Sequence, residues 1–213
     1  MLFLRTPAGW YYCKMKEYKI KILSLKHRID RQDKIRKVFE GFDFEFFWGM
    51  YGKDYTLTEY DKKWITGNNY REWGVNIKSL VASSHSHLNI LRECINEGIP
   101  YFVFEDDVKL NKPIDFSFTE IAKKDLDVFW LVPDKPSILG YVVWPSGARK
   151  LIDAVDGPEG LLYGLDYMWH FLKNTGYLNE EQLWDNYFWQ IAGDKDSDMA
   201  DKLYFNFKKK RLY

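Results

Sequence analysis

Only two cysteines, Cys13 and Cys94, stand among the 213 residues, and they lie far apart. That spacing builds neither a zinc knuckle nor a disulfide framework, and it suits a reducing compartment. A surplus of one charge is also missing, since 31 basic residues balance 31 acidic ones. A dedicated nucleic-acid binder needs extra cations to displace condensed counterions, so that class is set aside. No apolar run approaches the roughly 20 residues that cross a bilayer. The stretch from Met1 to Pro7 is too short in apolar residues for a signal peptide. A soluble, cytoplasmic chain is expected, without internal repeats or low-complexity segments.

Aromatic residues, by contrast, are plentiful at 18%, with nine tryptophans. Rings of this kind stack on the apolar faces of sugars and bases, but they are also the largest core fillers. With 46% hydrophobic residues, the chain is ordinary globular stock. A domain of this size buries about 70% of the surface its unfolded chain exposes, enough to fold without staples. One domain is expected over residues 1–213, with its core at 18–175 and a short aromatic and basic tail.

Strand patterns run over Tyr18–Leu25, Phe42–Trp48, Tyr101–Phe104, Asp127–Val132 and Gly140–Trp144. Helical spacing follows Asp30, with Ile35, Val38 and Phe39 on one stripe and Gly41 as a stop. Further helices are predicted from Ser79 to Glu97, from Pro145 onward, and from Leu165 to Lys173. Residues 49–76 show no period and read as a long loop of the kind that often forms a functional lid. Alternating strands and helices predict an α/β fold with a mainly parallel sheet sandwiched by helices.

Ligands of such sheets bind outside the carboxyl ends of the strands, where Glu105-Asp106-Asp107 follows a buried run. Strand alternation predicts Glu105 and Asp107 on one side and Asp106 on the other. Paired carboxylates suit a hard divalent cation that bridges a diphosphate. Equally, three acids can cap a turn or face solvent. Ser24, Leu25, Arg28 and Arg31 sit where the first strand ends; they either hold a nucleobase and phosphate or start a solvated helix. Arginine suits the first role because its planar fork donates twice.

The segment Ile22-Leu23-Ser24-Leu25-Lys26-His27-Arg28 with Arg31 carries a strand, a leucine-basic stretch and an arginine before the first helix. Ser86-His87-Leu88 opens a helical run some way before Glu105-Asp106-Asp107, and Tyr141–Ile152 joins an aromatic strand to Gly147-Ala148. Gly164-Leu165-Asp166 follows. In this order, over about residues 18–170, these motifs resemble glycosyltransferase family 25. That is the lipooligosaccharide-type group related to the collagen galactosyltransferases. The sequence departs from the pattern at Ile77–Ala82, at Trp144 and in the short connection from Trp130 to Gly140.

The resemblance implies a GT-A-like (Rossmann-like) fold and an inverting transfer from a nucleotide-sugar. The expected donor is a UDP-sugar carrying a hexose such as galactose or glucose, assisted by Mn2+ or Mg2+. The acceptor would be a glycan or a lipid-linked hydroxyl. It implies Asp107 as metal ligand, with Glu105 supporting the metal or the ribose and Asp106 beside them. His87 is expected to bond the donor or orient a carboxylate, although a histidine there can also serve as an internal cap partner. Asp166 is the candidate base, with N-cap as its other reading, and His170 lies one turn later. Lys208–Arg211 reads either as a solvated, disordered terminus or as a basic run that touches an anionic membrane surface. Two competing functions use the same residues: a non-catalytic carbohydrate-binding protein of the same ancestry, and a metal-dependent phosphoesterase.

Overall fold

The computed structural model describes residues 2–6, 9–13, 17–65, 76–132, 138–157 and 164–190. The basic run Lys208–Arg211 lies outside them. The elements, in chain order, begin with a hairpin of β1 (Leu2–Thr6) and β2 (Gly9–Cys13). They continue with β3 (Lys19–Ser24), α1 (Ile29–Val38), β4 (Glu45–Trp48), α2 (Glu59–Ile65), α3 (Ile77–Glu97), β5 (Tyr101–Glu105) and β6 (Val108–Leu110). The second half holds α4 (Phe118–Ala122), β7 (Val128–Trp130), β8 (Gly140–Val143), α5 (Pro145–Asp156), α6 (Leu165–Asn174), β9 (Glu180–Gln182) and β10 (Phe188–Gln190).

A six-stranded sheet in the order β4-β3-β5-β8-β7-β9 forms the centre. β3 runs parallel to both β4 and β5, and β7 runs parallel to β9. The expected mainly parallel sheet is interrupted by β8, which is antiparallel to both neighbours. The reason is the connection from Trp130 to Gly140, too short for the helical crossover that a parallel strand requires. β6 and β10 form a separate antiparallel pair.

Alternation in β5 sorts the core. Tyr101 and Val103 pack with Leu88, Leu91, Leu151 and Trp169 from α3, α5 and α6. Phe102 and Phe104 face the opposite way, toward Ile35 of α1, Phe39 at its C-cap, and Phe118 and Ile121 of α4. These four side chains of β5 are enclosed, and each such burial contributes roughly 1.5–3 kcal/mol. Gly147 lets α5 press against β7: a Cβ there would meet the Asp127 carbonyl oxygen at 2.1 Å.

α1 starts at Ile29, one residue ahead of the expected cap Asp30, which lies in its first turn instead. α3 is capped by the Asn76 side chain, which accepts from the Ser79 N–H, and it ends on Gly98 at φ +72°. The loop predicted over 49–76 contains α2, whose start is a reciprocal cap. The Thr58 hydroxyl accepts from Asp61 N–H, and the Asp61 carboxylate accepts from Thr58 N–H at 2.6 Å.

From β3 the chain passes through α1 to β4 on one side, then through α3 to β5 on the other. The strand order therefore reverses between β3 and β5. At such a switch point the crossing loops diverge and leave a crevice at the carboxyl ends of the strands.

Candidate functional site

That crevice is a cleft of about 700 Å³, counting its open mouth. Ser24, Leu25, Arg31, Glu105, Asp106 and Asp107 all line it. These residues come from the ends of β3 and β5 and from the first turns of α1. Six of the predicted site residues are thus brought together.

Asp106 anchors the floor. Its Oδ2 accepts from the Ser24 hydroxyl at 2.6 Å, and its Oδ1 accepts from Arg31 Nη1 at 2.8 Å. Arg31 also lies 3.9 Å from Asp107 Oδ2. Burial opposes the guanidinium charge, while the hydrogen bond and charge of Asp106, followed by Asp107, hold it in place. The predicted alternation of the three acids is corrected here. β5 stops at Glu105 and the next two residues form a turn, so Asp106 and Asp107 both meet Arg31. Period-two reasoning fails once the backbone leaves the strand.

Glu105 has different neighbours. His87, fully enclosed on α3, places Nε2 3.6 Å from Glu105 Oε1, and its Nδ1 is 3.0 Å from the Tyr141 hydroxyl. Burial pushes the Glu105 carboxyl up to about 8, with the charges of Asp166 and Asp106 adding to the effect and Arg31 opposing it. Burial also pushes His87 down to about 4, against a smaller opposing pull from Asp166. His87 sits behind Glu105 and does not line the cleft, and its Nε2 makes no hydrogen bond to that carboxyl.

Asp166 lies in the first turn of α6, where its Oδ1 accepts from Ile138 N–H at 2.9 Å. It does not line the cleft, although its charge reaches both Glu105 and His87. The helix N-cap is Gly164 at φ +102°, so Asp166 is not the cap. Arg28 does not line the cleft; it makes a two-pronged pair with Asp30 at 3.1 and 3.2 Å. His85 does not join His87. Its Nε2 meets Asp61 Oδ1 at 2.6 Å, fastening α2 to α3.

The other wall comes from the loop after β4, which the sequence marked only as a lid. Gly49 N–H donates to the Ser24 carbonyl at 2.9 Å, and Met50 N–H donates to the Ser86 hydroxyl at 2.8 Å. Gly52 lies so close to α3 that a Cβ would meet Ser79 Cα at 2.3 Å. Tyr51 lines the mouth, with the His27 ring 4.5 Å away. Ser79, Ser83 and Ser86 complete the lining. Sequence reasoning quoted Ser86 only as part of the Ser86-His87 motif and missed Ser79 and Ser83, although their spacing by four and then three residues puts all three on one helical face. Gln32 was missed as well; its side chain donates to the carbonyls of Leu25 and Lys26 and shapes the turn below the cleft.

Among the described residues, no cluster of three or more His, Cys, Asp or Glu side chains forms a metal cage. A Mg2+-like ion that rides on a diphosphate needs only one or two carboxylates from the protein. Asp107, buried and lining the cleft, fits that requirement, with Glu105 beside it. Asp106 does not, because Ser24 and Arg31 already engage both of its oxygens.

A cleft at the switch point of a helix-flanked sheet, walled by carboxylates and an arginine, defines a ligand-binding α/β domain of the Rossmann-like class. The sequence profile of glycosyltransferase family 25 (LPS biosynthesis protein) matches residues 17–135, more than half of the chain. The protein belongs to this family and is a glycosyltransferase. A comparison with individual curated proteins returned no match. No helix among the described residues is long and apolar enough to cross a membrane.

Proposed function

We propose that the protein transfers a hexose from a UDP-sugar to a glycan hydroxyl, with inversion at the anomeric carbon, on a GT-A-like domain. The observation that carries this reading is the convergence of Ser24, Arg31, Asp106 and Asp107 on one cleft between β3 and β5. Within it, Leu25 and Tyr51 offer apolar surface to a base, and Arg31 offers its guanidinium to a phosphate. Asp107, with Glu105, would hold a Mn2+ or Mg2+ ion, which neutralises charge on the departing diphosphate.

In the transfer the acceptor oxygen attacks the anomeric carbon and forms the new C–O bond. The bond from that carbon to the diphosphate oxygen breaks, and the nucleoside diphosphate leaves with the electron pair. The acceptor proton passes to a carboxylate. We assign that role to Asp166 on the family resemblance; its carboxylate stands behind the cleft lining, and its charge reaches Glu105.

The test is binding and turnover of UDP-galactose and UDP-glucose, each with and without Mn2+. Ligands that bind only the folded state raise its stability, by about 2.7 kcal/mol at a concentration 100 times Kd. A correct donor should raise Tm and be hydrolysed slowly with Mn2+ present. Asp107→Asn should abolish the Mn2+ dependence. If neither sugar nucleotide binds under either condition, the reading fails.

A further inference from the structure

A second, open pocket of about 470 Å³ lies at the far edge of the sheet, lined by Trp130, Lys173, Glu180, Glu181, Gln182 and Trp184. Nothing in the donor reading uses it. Trp184 is the most exposed large hydrophobic side chain among the described residues, at 84%, whereas Trp130 below it is enclosed. Glu180 is fixed from two sides. Its Oε2 accepts from Trp130 Nε1 at 2.6 Å, and its Oε1 lies 3.2 Å from Lys173 Nζ. An exposed indole therefore stands beside a carboxylate and an ammonium whose positions are already set.

β9 ends on the same edge of the sheet as β5, and Trp184 follows it there. Glu180 at the start of β9 and Lys173 at the end of α6 lie further back along the strand. Val103 of β5, Tyr141 of β8, Trp130 of β7 and Gln182 of β9 form one row across the strands. β5, β7 and β9 all run the same way, so the carboxyl end of β9 emerges beside that of β5. Three strand spacings separate them, about 14 Å. A few sugar rings span that distance.

We propose that this cavity is a sugar-binding subsite that holds a hexose ring of the acceptor glycan. Trp184 stacks on the apolar C–H face of the ring, while Glu180, Lys173 and Gln182 exchange hydrogen bonds with its hydroxyls. The lining favours a neutral polyol over a phosphate, because its ammonium is already matched: Lys173 pairs with Glu180, and Glu181 pairs with Lys124. Identification of the bound glycan as the acceptor rests on the glycosyltransferase reading above; the presence of a sugar site does not.

The test uses the full chain with lactose and maltose as probes, followed by saturation-transfer NMR and titration. Both disaccharides are tried because the linkage is open, and UDP is titrated into the same samples. We expect at least one disaccharide to bind the wild type. Trp184→Ala should weaken that binding by about tenfold, the scale of one lost aromatic stacking contact. Trp184→Tyr should retain most of it, and UDP binding should be unchanged in both variants. Since the ring is exposed, neither substitution threatens folding. Equal disaccharide binding by wild type and Trp184→Ala, or no binding of either disaccharide to the wild type, overturns the proposal. Loss of UDP binding with Trp184-dependent sugar binding intact would overturn the donor reading and leave the subsite standing.

Discussion

Glu105 and His87 sit 3.6 Å apart with proton affinities displaced in opposite senses, so each single substitution should change the pH dependence of stability in its own direction. The carboxyl is held up to about 8 in the folded chain against 4.5 ordinarily. Between those values the folded state carries a proton that the unfolded state lacks, so stability falls as pH rises, by about 1.36 kcal/mol per unit. Over the whole window that comes to about 5 kcal/mol at most, and we take about 3 because a fifth of the side chain meets solvent. His87 behaves oppositely. It is held down to about 4 from 6.5, so over that window the unfolded state binds the extra proton. Its contribution is present above 6.5 and is lost as pH falls toward 4, by about 3 kcal/mol in all.

In the wild type the two slopes offset each other between pH 4.5 and 6.5, and Glu105 alone acts from 6.5 to 8. Glu105→Gln removes the downward slope. Its stability should climb from pH 4 to 6.5 and then level off. His87→Gln leaves only the Glu105 slope, so that variant should lose stability continuously from pH 4.5 to 8. Urea unfolding at half-unit pH steps, with a chelator present so that no cation restores the carboxylate, measures all three curves. Other titrating groups, such as Asp61 and Asp127, are common to the three proteins and cancel in the differences. Three parallel curves would refute the burial argument for both residues and would mean that water reaches the pair.

How much of this was legible in the sequence depends on the length scale of the signal. β5 could be read directly, because four consecutive apolar residues buried on both faces admit few other structures. α5 was likewise marked by Pro145 at its first turn and by its apolar stripe. The convergence of Ser24, Arg31 and the acidic turn was legible because strand ends of a switch-point sheet must meet at one edge. What failed was local geometry beyond the elements. The alternation drawn through Glu105-Asp106-Asp107 assumed extended backbone where a turn begins. β9 and β10 are three residues each, too short for any periodicity to register, so the cavity beside Trp184 had no sequence signal. The antiparallel course of β8 was within reach, since its short connection already ruled out a crossover. The structure also separates the two halves of Ser86-His87: the serine holds the cleft loop, and the histidine lies behind Glu105.

Two further substitutions test the walls of the cleft. Asp106→Ala takes away the 2.8 Å acceptor of a buried arginine and the partner of Ser24, so it should cost about 3–5 kcal/mol in urea unfolding. Ser24→Ala, which removes one neutral donor, should cost only about 1 kcal/mol, and equal losses in the two variants would show that Arg31 does not depend on Asp106. Gly52→Ala addresses the opposite wall. The new methyl carbon would fall 2.3 Å from Ser79 Cα and 2.3 Å from its hydroxyl, where backbone and not a flexible side-chain tip stands in the way. The loop must therefore lift from α3, and Tyr51 and Met50 lift with it. Because the displaced segment is a surface loop, the stability cost should stay near 1–3 kcal/mol. Affinity for a UDP-sugar should drop by about tenfold or more, since the mouth of the cleft is no longer closed around its ligand. Calorimetric titration reads the affinity and far-ultraviolet circular dichroism reads the fold. Unchanged affinity with the fold intact would mean that the loop wall takes no part in holding the donor.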